Sequence, residues 1–76
     1  MPTIVRLQNS TVTMYAGDHP PPHFHVRLSD GREALVIIES FGIISSSLKS
    51  GELAPALEWA TANKVALIAR WQELNP

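Results

Sequence analysis

Cysteine is absent, so no disulfide frames this fold, and neither a thiolate metal site nor a thiol nucleophile is available. No apolar run approaches the ~20 residues a membrane helix needs. No glycine-rich loop has phosphate-cradling spacing, and no serine sits in a recognisable nucleophile setting. Charge of one sign is missing too: six basic residues against seven acidic ones leave a net charge of −1. That balance excludes strong, nonspecific gripping of nucleic acid but leaves room for a local basic face. The opening Met1-Pro2-Thr3-Ile4-Val5-Arg6 has no basic stretch followed by a long apolar segment, so the expectation is a cytoplasmic protein without a membrane role.

The 76 residues, 45% hydrophobic and 17% charged, read as a single globular domain spanning 1–76. A core this small rarely supplies more than roughly 3–5 kcal/mol, so a protein partner or a homodimer is a natural supplement.

The chain divides into a β-like first half and a helical second half. Thr3–Leu7 and Thr11–Tyr15 are rich in β-branched residues around a Gln8-Asn9-Ser10 turn. Phe24–Leu28 and Glu33–Ile38 flank Ser29-Asp30-Gly31-Arg32, where Asp-Gly reads as a two-residue hairpin turn. That turn would set Arg27 opposite Ala34 and His25 opposite Val36. Alternation would then put Phe24, Val26, Leu28, Leu35 and Ile37 in the core, with Glu33 at its end. His23, His25, Arg27 and Arg32 would share the other face with Ala34, Val36 and Ile38, and a dimer covering Val36 and Ile38 follows. A short fourth strand is expected near Gly42–Ser46. Beyond Glu52, Leu53, Leu57, Ala60, Leu67 and Trp71 form an apolar stripe at helical spacing. Ser50 is the expected N-cap, Pro55 fits the first turn, and weak helix formers near Asn63 favour two helices over one. The fold class is α+β: a three- to four-stranded antiparallel sheet followed by two short C-terminal helices.

What the chain does have is a concentration of imidazoles. All three histidines fall within Asp18-His19-Pro20-Pro21-Pro22-His23-Phe24-His25, and the prolines stiffen the tether between them. Histidine titrates nearest neutral pH and is the commonest metal ligand. His23 and His25, two apart on a strand, project to the same side and can share an ion, with His19 curling back as a third ligand. Asp18 or Glu33 could add an oxygen, although the register above puts Glu33 on the opposite face. A metal-free alternative casts His23 and His25 as catalytic acid and base on a phosphodiester, with Arg27 and Arg32 stabilising its charge. A plainer reading is structural, in which histidines bond carbonyls that the prolines leave unpaired, or the loop serves as an interaction surface.

The opening Met1-Pro2-Thr3-Ile4, the motif Asp18-His19 with Pro21-Pro22-His23-Phe24-His25, Glu33-Ala34, Trp59-Ala60, Leu67 and Trp71 resemble a bacterial domain-of-unknown-function family. That family is numbered four-one-six-zero. One departure is Leu48-Lys49-Ser50-Gly51, where members usually place a Leu-Pro step. The resemblance implies an α+β domain without an established activity and a protein partner in a toxin–antitoxin-like pair. The expected function is thus a small interaction module using the histidine–proline loop. Asp18, His19, Arg27 and Arg32 are its binding residues, and no resident cofactor is required. The alternative is a small ribonuclease or metal-dependent hydrolase, acting on RNA in the first case, with His23 and His25 catalytic and His19, His23 and His25 holding a divalent ion.

Overall fold

A computed structural model describes residues 3–76. Met1 and Pro2, which open the motif quoted above, lie outside the described residues. The fold is α+β. Five strands, β1 (Thr3–Arg6), β2 (Ser10–Thr13), β3 (His23–Leu28), β4 (Glu33–Ile37) and β5 (Ile43–Ser46), precede two helices, α1 (Ser50–Ala62) and α2 (Lys64–Leu74). Every strand is antiparallel to its sequence neighbour, giving one sheet in the order β1-β2-β3-β4-β5. The sheet has one strand more than the upper expectation. No helix among the described residues is long and apolar enough to cross a membrane.

The central hairpin differs from the sequence expectation by one residue. The Leu28 amide donates to Arg32 O at 2.9 Å and the Gly31 amide to Leu28 O at 3.0 Å. These bonds close a three-residue loop, Ser29-Asp30-Gly31, in which Gly31 takes φ +91°. This is the turn-plus-bulge connection that favours glycine at its last position, not a two-residue Asp-Gly turn. Phe24 therefore pairs with Val36, His25 with Leu35, and Arg27 with Glu33. Because side chains alternate with period two, a one-residue shift exchanges the faces of β4. Ala34, Val36 and Ile38 are fully buried with Phe24 and Val26, whereas Glu33, Leu35 and Ile37 share the side of His23 and His25. A dimer built on Val36 and Ile38 is thereby excluded, since the monomer already covers both.

Helices α1 and α2 supply the other half of the core through Leu53, Ala56, Ala60, Leu67 and Trp71. The helix break falls at Asn63, where Asn63 Nδ2 donates to Trp59 O at 2.8 Å and competes with helical continuation. The first helix is capped at Lys49, not Ser50: Glu52 Oε1 accepts the Lys49 amide at 2.9 Å. Pro55 stands inside the helix, beyond its first turn. Glu52 also receives Arg32, with Nη1 donating to Oε1 at 2.9 Å and Nη2 to Oε2, while Arg32 Nε donates to Asp30 Oδ2 at 2.8 Å. Arg32 thus ties the hairpin turn to the start of α1 and does not join the histidines.

Two outcomes follow from this arrangement. Ile38→Ala should destabilise by about 2–5 kcal/mol, dropping the melting temperature by roughly 10 °C or more. Ile37→Ala should lose less than half as much; equal losses in thermal unfolding would contradict the register. Arg32 and the Lys49 amide hold the Glu52 carboxyl below its usual value, and the Arg32 amide and guanidinium do the same for Asp30. A depressed folded pKa stabilises at pH above the unfolded value and is lost as pH falls through the folded one. Melting temperature should therefore fall below about pH 4.5, and Glu52→Gln should flatten that acid limb.

Candidate metal centre

Alternation along β3 sends His23 and His25 to one side of the strand and Phe24 and Val26 into the core. The prolines before β3 return the chain so that Asp18, on the preceding loop, meets both rings. Asp18 Oδ2 lies 3.0 Å from His23 Nε2 and 3.5 Å from His25 Nε2. One ligand atom from each of these three residues falls within 4.8 Å of the others. Asp18 is itself held from two directions. Its amide donates to Asn75 Oδ1 at 2.9 Å, and its Oδ1 accepts the His19 amide at 2.8 Å. Partial burial pushes the Asp18 carboxyl upward, but the His19 amide and the neighbouring His23 and His25 outweigh it and hold the group below its ordinary value.

The outer nitrogens of both rings face acceptors. His23 Nδ1 stands 2.8 Å from Pro21 O, and a carbonyl can only accept, so Nδ1 carries the proton. This is the carbonyl satisfaction expected of a histidine beside consecutive prolines. His25 Nδ1 faces Glu33 Oε2 at 3.5 Å. Each imidazole is thus oriented with Nδ1 outward to a carbonyl or carboxylate and Nε2 inward to Asp18. Such partners behind metal-ligating histidines fix the tautomer and leave the Nε2 lone pair free.

His25 separates the two chemical states open to the trio. With both rings protonated, Asp18 would be a hydrogen-bonded counterion. Yet both nitrogens of His25 are buried without a hydrogen bond among the described residues, because contacts of 3.5 Å are too long or misaimed to serve as one. Atoms bound about 2.0–2.1 Å from a common ion stand roughly 3–3.4 Å apart; Asp18 Oδ2 stands 3.0 and 3.5 Å from the two Nε2 atoms, and the trio, which spans up to 4.8 Å, would draw together around an ion. Two histidines and a carboxylate form a donor set suited to divalent zinc, iron or manganese.

Access is uneven. The His23 and His25 side chains are 6% and 13% exposed, against 24% for Asp18. A cleft of about 410 Å³ lined by Gly17, Asp18, Pro20, Trp71, Leu74 and Asn75 opens on the carboxylate side. His25 receives the edge-on ring of Tyr15 at 4.8 Å, and His23 lies 5.2 Å from the Trp71 ring.

The sequence-selected residues separate into groups. Asp18, His23 and His25 come together. His19 is exposed and contributes its backbone to Asp18, with its ring outside the trio. Arg27 is exposed two residues beyond His25, while Arg32 is engaged by Asp30 and Glu52. Glu33 joins the site because the hairpin is shifted by one residue. Tyr15 and Asn75 went unselected and no local motif marks them, while Trp71 stood out only in the apolar stripe and the family resemblance; tertiary contact brings all three here.

No curated protein and no solved structure matches the chain. One family model does, over residues 10–72: Domain of unknown function (DUF4160). The match takes in β2 to β5, the histidine–proline loop, all of α1 and most of α2, and the chain belongs to this family.

Proposed function

We propose that Asp18, His23 and His25 bind a divalent transition-metal ion and that the domain is a small metal-dependent hydrolase. The observation that carries this reading is the opposed orientation of the two rings. Both Nε2 atoms face Asp18 Oδ2, while from outside Pro21 O accepts from His23 Nδ1 and Glu33 Oε2 lies 3.5 Å from His25 Nδ1. An ion held by these three residues at this position would make a water acidic enough to supply hydroxide near neutral pH. The cleft beside Asp18 gives a substrate a route to that position.

The test is a titration of Zn²⁺ and Co²⁺ into the isotope-labelled protein. Saturable one-to-one binding should shift the imidazole signals of His23 and His25 and leave His19 nearly unmoved. Asp18→Asn, on the loop, should abolish it, and Glu33→Gln should weaken it by 10–100-fold. Loaded protein should hydrolyse a chromogenic phosphodiester, with loss on chelation and in Asp18→Asn. Unsaturable binding, or hydrolysis that survives Asp18→Asn, would overturn the proposal.

A second reading, an interaction module of a toxin–antitoxin-like pair or a homodimer, is favoured by β5. This strand is exposed along its whole length at the sheet edge, with Ile43 at 45% and Ile44 at 47%. No charge or proline interrupts residues 41–48, so β5 is guarded only by its four-residue length and the irregularity in its pairing with β4. Pairing with a strand of another chain would cover it. Ile43→Lys/Ile44→Lys should leave folding and metal binding intact and abolish self-association seen by analytical ultracentrifugation. Association unaffected by the double variant would remove β5 from consideration.

A further inference from the structure

At the far end of β3 from His23, a cleft of about 410 Å³ lies between the β1–β2 connection and the central hairpin. Its walls include Arg6, Gln8, Asn9, Thr11, Arg27 and Ser29, so it holds two guanidinium groups and no carboxylate. Neither Arg6 nor Arg27 forms an ion pair or a hydrogen bond through its side chain among the described residues, whereas Arg32 and Arg70 each pair with acids. Arg27 has a carboxylate opposite it across the ladder, Glu33. That carboxylate lies against His25 Nδ1 instead. The consequence is local positive potential on a protein whose net charge is −1.

The register places these cations in line with the metal centre. Arg6 pairs with Thr11 and Thr11 with Arg27, forming one cross-strand row. Thr13 and His25 form the next row on the same face. Arg27 and His25 are two residues apart on one strand, roughly 6.6 Å between backbones, comparable to consecutive phosphates of an extended strand. Arg6 lies two strands away, roughly 9.5 Å further across the sheet. A single phosphate would need the guanidiniums converging on one point. Cations spread over this distance and continuing toward an ion suit a repeating anion.

We infer that the Arg6–Arg27 cleft holds the phosphodiester backbone of a single-stranded nucleic acid and leads it across β3 to Asp18, His23 and His25. As an assignment of substrate class this rests on the hydrolase reading, but the cleft binds without metal. Arginine suits the role because its planar fork meets phosphate oxygens in pairs. The amide of Gln8 and the hydroxyls of Thr11 and Ser29 add donors that read no base.

The experiment uses the full chain in chelator, with fluorescent oligouridylate and oligothymidylate followed by anisotropy at several salt concentrations. The two probes distinguish an RNA from a DNA backbone, and binding of either supports the cleft. Affinity should fall with salt, and Arg27→Ala and Arg6→Ala should each weaken it at least threefold and reduce the log–log salt slope by about 0.7. Both arginines are exposed and unpaired, so melting temperatures should be unchanged. Asp18→Asn should retain binding while losing metal, which separates failure of the cleft from failure of the metal centre. No salt-dependent binding of either probe, or binding indifferent to both arginine variants, would overturn the inference.

Discussion

A β-strand shows its side chains to alternate faces, so the residue on which a hairpin closes decides what every later residue of the second strand touches. In this domain that residue is Arg32, bonded to Leu28 around a loop that needs a positive φ at Gly31. Closing there sends Ala34, Val36 and Ile38 into the core beside Phe24 and Val26. The same parity sets Glu33 opposite Arg27 and turns Arg32 toward α1; with the Glu33 carboxylate against His25, Arg27 has no ion pair among the described residues. Core, candidate metal centre and basic cleft all depend on that one closure.

The histidines are embedded in this frame from both sides. Ladder pairing with Thr13 and Leu35 fixes the backbone of His25, and the rings of Tyr15 and Trp71 limit where the imidazoles can turn. Asp18 is reached only through the proline loop, and Asn75, just past the last helix, holds its amide. Asp18 from the loop, His23 and His25 from β3, Glu33 from β4 and Asn75 after α2 therefore converge on one small region. A site assembled from such separated parts is preorganised only while the whole domain is folded, which links its chemistry to the stability of a small core.

Charge is distributed with similar economy. Arg32 is consumed in joining the hairpin to α1, and Glu33 in orienting His25. Lys64 donates to Glu39 O and lies 5.5 Å from the Phe41 ring centroid. Among the described residues Arg6 and Arg27 form no ion pair and line the same cleft, so a near-neutral chain still presents a cationic surface there. The uncharged stretch at β5 lies across the sheet from β1, keeping the candidate protein edge apart from the candidate nucleic-acid cleft.

Much of this was legible in one dimension. Two β-rich hairpins, the Asp-Gly turn region, a break near Asn63 and the apolar stripe through Leu53, Ala60, Leu67 and Trp71 follow from local propensity and period, which depend on neighbours in sequence. The pairing of His23 with His25 on one face follows from alternation alone, and the bond from His23 to a proline carbonyl from the shortage of backbone donors around it. Tertiary structure decided the rest. Asp-Gly is compatible with two-residue and three-residue closures, and only burial of Val36 and Ile38 under the helices selects between them. Ser50 lost the cap to Lys49 because Arg32, 20 residues back, steadies Glu52 where it can accept the Lys49 amide. The inclusion of Asp18 and Glu33, and the place of His19 outside the trio, depend on where a loop lands in space. Sequence determined which side chains could do chemistry and which strand carried them; long-range packing determined which of them meet, because distance between residues far apart in the chain is set by the core and not by spacing.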